Sequence, residues 1–166
     1  QQLLQERAEY YRWTSDKGLD LLEGTVPSLL MPEAKSMIVV LDNYYQGSFP
    51  ASMVGKFGRC YLDDDRITKD RLAIKIKQLR NYLRENGIQS KVANDVPQRL
   101  AAARAGLGTF GKNNFFYASR TARQSSWVVA VAILTDGEFA PDEPSIEVTC
   151  PQWCRNACIA SCPTGA

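Results

Sequence analysis

The stretch WVVAVAIL, residues 127–134, decides the fold class of this chain. It is a continuous apolar run rich in β-branched residues, and it is far too short to span a bilayer. Such a run predicts a strand buried inside a sheet. The stretch SMIVVLD, residues 36–42, has the same character and predicts a second buried strand.

Helical and strand patterns alternate on either side of these two runs. Helical spacing of apolar residues appears in residues 2–13. It appears again in a second helix, whose apolar stripe is Ile67, Leu72, Ile76, Leu79 and Leu83. Asp64 and Asp65 can cap the start of this second helix, and Gly87 ends it. Further short elements are expected at 88–92 (strand), Pro97–Ala105 (helix closed by Gly106) and 115–117 (strand). Because strands are few and loops long, we expect a three-layer α/β or α+β domain over residues 1–145.

Composition sets the class of protein. The chain has 166 residues, is 45% hydrophobic and 23% charged, and carries a formal net charge of +2, which is ordinary for one globular domain. No apolar run approaches the roughly 20 residues of a membrane span, and no signal peptide is visible. We therefore expect a cytoplasmic protein without a membrane partner. The chain starts at Gln1 and stops at Ala166, so we expect a fragment of a longer protein.

The segment CPQWCRNACIASCPTGA, residues 150–166, holds the main chemical signal. Densely spaced thiolates are ligands for iron–sulfur clusters or zinc. On one continuous helix the four sulfurs would spread over about 18 Å, so the segment must bend or the last cysteine must serve another centre. The ending C-x3-C-P, from Cys158 to Pro163, matches two-cluster ferredoxins, whose fourth cysteine ligates the other cluster. The two earlier gaps each have one extra residue.

Other interpretations of the cysteines are weaker. A disulfide framework is disfavoured because the chain has five cysteines and is too large to need such links. A zinc site usually pairs cysteines across a longer gap, often with histidine, and the chain has no histidine. An iron–sulfur role is therefore predicted for Cys150, Cys154, Cys158 and Cys162. Cys60 is predicted to be a small buried hydrophobe.

The second informative stretch is GLGTFGKNN, residues 106–114. Its glycines let the backbone approach a ligand, and Lys112 adds a positive charge. A G-x-G-x-x-G dinucleotide site needs a strand before and a helix after, whereas here a helix precedes and a strand follows. Two interpretations remain: a helix C-cap with a tight turn, or a cofactor-lining loop formed by Gly106, Gly108, Thr109, Phe110, Gly111, Lys112 and Asn113.

The ordered set AAARAGLGTFGKNN (101–114), ILTD (133–136) and CIASCPTGA (158–166), with MPEAKSMIVVLDNYY (31–45) upstream, resembles the epoxyqueuosine reductase family. More distantly, the chain resembles the corrinoid reductive dehalogenases. The resemblance spans about residues 27–166. It implies a cobalamin-binding domain related to the nitroreductase fold. Residues 146–166 would then begin a ferredoxin-like module for two [4Fe–4S] clusters.

The resemblance also implies an activity. Such reductases pass electrons through their clusters to cobalt, which reduces the substrate, so an electron donor such as a ferredoxin or flavodoxin and a tRNA substrate are expected. A flavin is the alternative cofactor. The family's second cysteine set would lie after Ala166, so this chain can complete at most one cluster.

One position departs from the family. The proton-donating aspartate, three residues before the proline that opens the helix, is here Asn94, a neutral amide. The adjacent Asp95 is the only carboxylate between Glu85 and the end of the glycine segment, so we expect it to be the catalytic acid. Its alternative role is a cap or turn residue. The departure also favours a second hypothesis, a non-enzymatic iron–sulfur electron carrier or accessory protein with a degenerate cofactor domain.

Overall fold

The computed structural model describes residues 5–6, 8–16, 23–45, 51–56, 71–119, 125–150 and 154–164. Its helices are α1 (Ala8–Asp16), α2 (Pro27–Leu30), α3 (Arg71–Glu85), α4 (Gln98–Arg104) and α5 (Ala157–Ala160). Its strands are β1 (Ser36–Asn43), β2 (Ser90–Val92), β3 (Gly108–Phe110), β4 (Phe116–Ala118) and β5 (Val128–Thr135). The expected mixture of helices and strands is confirmed. Within these ranges no helix has the length and apolar character needed to cross a membrane.

The main sheet has the order β1-β5-β2, and both pairings are antiparallel. The apolar run predicted at 127–134 is its central strand β5, whose residues Ala132–Thr135 are buried. Strand β1, predicted as buried, is half-buried along its length. The reason is its position, because in the described chain β1 pairs only with β5 and forms an edge of the sheet.

Helix α4 packs on this sheet, and α3 contacts strands β1 and β2. On one face, α4 buries Ala101 against Ala132 and Leu134 of β5. Side chains alternate along a strand, so Asp42 of β1 points to the face opposite the one that α4 covers. Its carboxylate forms ion pairs with Arg71 and Lys75 of α3 at 3.1 and 3.0 Å. The small side chains of α4 allow a close approach to the sheet. Residues Asp64, Asp65 and Ile67, assigned to the start of α3 by sequence, lie outside the described residues, as does Cys60.

Helices α3 and α4, on either side of β2 in the sequence, both end at the glycines predicted to terminate them. Gly87 follows α3 with φ +77°, and Gly106 follows α4 with φ +66°. After α4, the N–H of Leu107 donates to Ala102 O and the N–H of Gly106 to Ala103 O. This pair of bonds is the Schellman motif, in which a left-handed residue lets the chain turn back over the last carbonyls.

The structure differs from the sequence prediction in four short elements. Residues 108–110, predicted as loop, form strand β3 and pair with β4. The strand has only three residues and begins with glycine, so its local signal is weak. The strand expected at 115–117 is Phe116–Ala118, and the one expected at 88–92 shortens to Ser90–Val92. Pro27–Leu30, for which the sequence predicts no helix, is one helical turn with proline in its first turn.

Candidate functional site

A cleft of about 770 Å³ opens between β1, α4 and the chain that follows β5. Its walls are largely apolar, with Met37 and Val39 on the strand and Leu100 and Leu107 on and after the helix. Lys35 and Arg104 bring positive charge to the cleft, and Asp142 brings one carboxylate. Its volume and its apolar walls with few charges are typical of pockets for small molecules and cofactors.

The turn before α4 forms one end of this cleft through Val96 and Pro97. Gln98 fixes that turn, because its side-chain amide donates to Ala93 O and its Oε1 accepts the Ala132 N–H of β5. Gly24 packs directly on the carbonyl of Asp95, where a Cβ would overlap it. Sequence reasoning missed both residues, since a lone glutamine shows no pattern that links it to Ala132, 34 residues further along the chain. A lone glycine likewise shows none that links Gly24 to a turn about 70 residues away.

Asp95 lies in the turn between β2 and α4 and is exposed. The cleft is lined by its neighbours Val96 and Pro97 and not by Asp95. Asn94, at the position of the family's acid, is exposed as well. The structure therefore places the predicted acid beside the cleft, with its side chain exposed.

The glycine segment is a β-hairpin. Gly108 lies so close to Tyr117 O and the Phe116 ring that a Cβ would overlap them. The N–H of Gly111 donates to Phe115 O at 2.9 Å, and that of Asn114 donates to Gly111 O at 2.9 Å. Asn114 has φ +59°, which completes a turn followed by a left-handed residue, a common three-residue hairpin loop. The segment thus has the helix C-cap and the tight turn of the first interpretation, and its role in lining a cofactor stays a prediction.

The residues predicted to line a cofactor, Gly106, Gly108, Thr109, Phe110, Gly111, Lys112 and Asn113, do not line the cleft; of the whole segment only Leu107 does. The tip of the hairpin points to the cysteine segment instead. The backbone N–H of Lys112 donates to Cys150 Sγ at 3.4 Å, and Lys112 Nζ donates to Asn156 Oδ1 at 3.0 Å. The two informative stretches of the sequence are therefore in direct contact.

The residues just before the cysteines are attached to the same hairpin. The Thr149 N–H donates to Phe110 O at 3.0 Å, and the hydroxyl of Thr149 donates to that of Thr109 at 2.8 Å. Val148 forms a parallel bridge with Phe110. Three residues before Val148, the Ser145 N–H donates to Ala103 O of α4. Hydrogen bonds thereby attach the residues that lead into the cysteine segment first to α4 and then to the hairpin.

The cysteines have the donor chemistry of an iron–sulfur site. Cys150, Cys154, Cys158 and Cys162 are all free and partly accessible. Their segment bends, because Asn156 has φ +55° between Cys154 and the short helix α5, so it is not one continuous helix. An N–H donor already faces the Cys150 sulfur, as is usual around cluster ligands. The described residues do not gather three such ligands around one point.

Comparison with known proteins shows which solved structures share this fold. No protein-family model and no curated protein sequence matches the chain. A solved epoxyqueuosine reductase from Bacillus subtilis, with its catalytic aspartate loop swung out of the active site, matches 95% of the chain with a TM-score of 0.64 and 25% identity. The chain resembles epoxyqueuosine reductases. An epoxyqueuosine reductase bound to an epoxyqueuosine-modified tRNA-Tyr stem loop matches 84% of it, with a TM-score of 0.62 and 27% identity.

The epoxyqueuosine reductase from Streptococcus thermophilus matches 97% of the chain with a TM-score of 0.58 and 22% identity, which extends the likeness in fold alone. The chain spans 44% of the Bacillus subtilis epoxyqueuosine reductase and 38% of the tRNA-bound one. The resemblance inferred from the ordered sequence motifs is confirmed at the level of structure.

Proposed function

We propose that this chain supplies the cofactor-binding domain and the first cluster ligands of an iron–sulfur reductase that acts as epoxyqueuosine reductases do. The observation that carries the proposal is the fold shared with those enzymes over 95% of the chain. The cysteine segment bonded to the glycine hairpin supports it, because a redox centre there would lie against the domain that holds the cleft. The proposed substrate is an epoxyqueuosine-containing tRNA, as in the stem-loop complex of the relative.

The proposed cofactor is a corrinoid bound at the cleft, within a nitroreductase-like layered domain. The apolar walls suit a flat ring system, and Lys35 and Arg104 suit a phosphate group. Corrinoids and flavin nucleotides both have such a phosphate, so a flavin is the alternative. When bound, the cofactor supplies the electron transfer to substrate, and the protein residues bind and orient the reactants and deliver the proton. Asp95 is the proposed proton source, at the edge of the cleft.

The proposed cluster ligands are Cys150, Cys154, Cys158 and Cys162, with the last of these serving a second centre. A bound [4Fe–4S] cluster would supply electrons one at a time from a ferredoxin or flavodoxin. The chain's own contribution is the amide of Lys112 facing the Cys150 sulfur.

The experiment uses the full-length protein, purified and reconstituted anaerobically. We expect labile sulfide and iron together, cobalamin binding in preference to flavin mononucleotide, and reduction of an epoxyqueuosine stem loop by reduced ferredoxin or flavodoxin. Stoichiometric zinc without sulfide would overturn the cluster assignment. Clusters with neither cobalamin binding nor turnover would instead establish the electron carrier, which the exposed Asn94 and Asp95 favour.

A further inference from the structure

Lys112 makes two separate contacts with the cysteine segment. Its backbone N–H lies 3.4 Å from Cys150 Sγ, and its ammonium lies 3.0 Å from Asn156 Oδ1. The side chain belongs to neither of the ion pairs found in the described chain, both of which involve Asp42. One residue at the hairpin tip therefore touches the cysteine segment at two points six residues apart.

The backbone contact is preorganised by the hairpin. Gly111 and Asn114 close the turn, so Lys112 occupies the position after its first residue. Neither Lys112 nor Asn113 has a positive φ, which fits a type I turn. Thr149, held on Phe110 and Thr109, brings Cys150 to the same place. The direction of the Lys112 N–H toward the sulfur is therefore set by the hairpin and not by the cysteine segment.

The side-chain contact falls on a backbone position that needs support. Asn156 has φ +55°, a left-handed conformation that is uncommon for residues other than glycine. Its carbonyl accepts the N–H groups of Ile159 and Ala160, which start helix α5. The left-handed turn thus decides how the chain runs from Cys154 into the helix that holds Cys158. The Lys112 ammonium is the group that fixes the Asn156 side chain.

We propose that Lys112 is a positioning residue for the cysteine segment. Its ammonium holds the left-handed turn at Asn156, and its backbone N–H holds the Cys150 sulfur, so that the thiols on both sides of the turn keep one arrangement. A metal centre bound there would receive this N–H as an outer-shell hydrogen bond, which would raise its reduction potential. The metal part of this inference rests on the proposed iron–sulfur function, whereas the arrangement of the metal-free thiols does not.

The test uses two substitutions that separate the contacts. Lys112→Met removes the ammonium and keeps the N–H. Lys112→Pro removes both, and proline is favoured at this position of a type I turn, so the hairpin is retained. Lys77→Met, on the exposed face of α3, is the matched control. In metal-free full-length protein, we expect Cys154 and Cys158 to react several-fold faster with N-ethylmaleimide in Lys112→Met than in the control, as measured by mass spectrometry.

A rescue variant makes the argument specific. Glycine adopts the left-handed conformation without cost, so Asn156→Gly should restore slow labelling when added to Lys112→Met. Labelling rates equal to the control in Lys112→Met, or no rescue by Asn156→Gly, would overturn the positioning role.

The metal readout distinguishes this inference from the proposed function. After reconstitution with iron and sulfide, Lys112→Pro should bind iron about 10- to 100-fold more weakly, the usual effect of losing an outer-shell partner. Lys112→Pro should also shift the cluster's midpoint potential to a more negative value. If no variant, including wild type, takes up sulfide, the proposed function fails while the labelling result still decides the role of Lys112. An unchanged potential in Lys112→Pro overturns the hydrogen bond to sulfur.

Discussion

At the scale of single residues, the uncharged Gln98 side chain fixes the turn before α4 through two hydrogen bonds. It joins the turn before α4 to the central strand by donating to Ala93 O and accepting from the Ala132 N–H. Ala132 is fully buried, so water cannot replace the lost acceptor. The position of Val96, Pro97 and Asp95 at the cleft therefore depends on one uncharged amide.

We predict that Gln98→Met will destabilise the domain by about 1–3 kcal/mol, the cost of leaving a buried donor unsatisfied. Urea denaturation measures the change in the free energy of unfolding. Arg99→Met, an exposed neighbour on the same helix, serves as the control and should stay within about 0.5 kcal/mol of wild type. Equal stability of the two variants would show that the Gln98 bonds contribute nothing net.

A second prediction at this scale concerns the proposed acid. Asp95→Asn should lower reductase turnover by about 10²-fold, the lower end of a general-acid contribution, while iron content and the unfolding midpoint stay unchanged. The assay is reduction of the epoxyqueuosine stem loop under anaerobic conditions. Because Asp95 is exposed in the present structure, this role requires the turn to close over the cleft when the substrate binds. Full turnover in Asp95→Asn would remove the residue from the mechanism and favour the electron-carrier function.

At the scale of elements, the structure explains why some segments were predictable. The central strand β5, helices α3 and α4 and the glycines that end both helices have strong local signals, and the structure confirms them. Strand β3 has only a weak one, and it owes its conformation to pairing with β4 and to contacts with Thr149. The edge position of β1 likewise depends on which strands pair, which the periodicity of a segment does not encode.

The hairpin gives the prediction that belongs to this scale. Gly108→Val should disrupt the β3–β4 pairing, since the new side chain would overlap Tyr117 O and the Phe116 ring. We expect a lower unfolding temperature and faster amide exchange at residues 108–118. Thr109→Val is the matched control, because it places a β-branched residue on the same strand and loses only the bond to Thr149. Intact hairpin protection in Gly108→Val, with cofactor binding lost, would instead support the cofactor-lining interpretation.

At the scale of the whole molecule, sequence reasoning identified both informative stretches but not their contact. The four cysteines and the glycine segment were recognised from residue types and spacing. The link between Lys112 and Cys150 spans 38 residues of sequence and depends on the hairpin, which itself was not predicted. The cleft was missed for the same reason, because its walls come from segments far apart in the chain. Local patterns therefore identified the cysteines and the glycine segment. Their contact and the position of the cleft depend on packing between residues far apart in the chain.

The attachment of residues 145–150 to α4 and the hairpin has a consequence for how the protein responds to cleavage. Residues 138–144 are exposed, so a protease should be able to cut there. Yet Ser145, Val148 and Thr149 remain bonded to Ala103, Phe110 and Thr109. A nicked molecule should therefore stay in one piece, with both fragments eluting together in gel filtration and separating only in denaturant. Independent elution of the cysteine-bearing fragment would show that the peptide chain alone holds the two parts together.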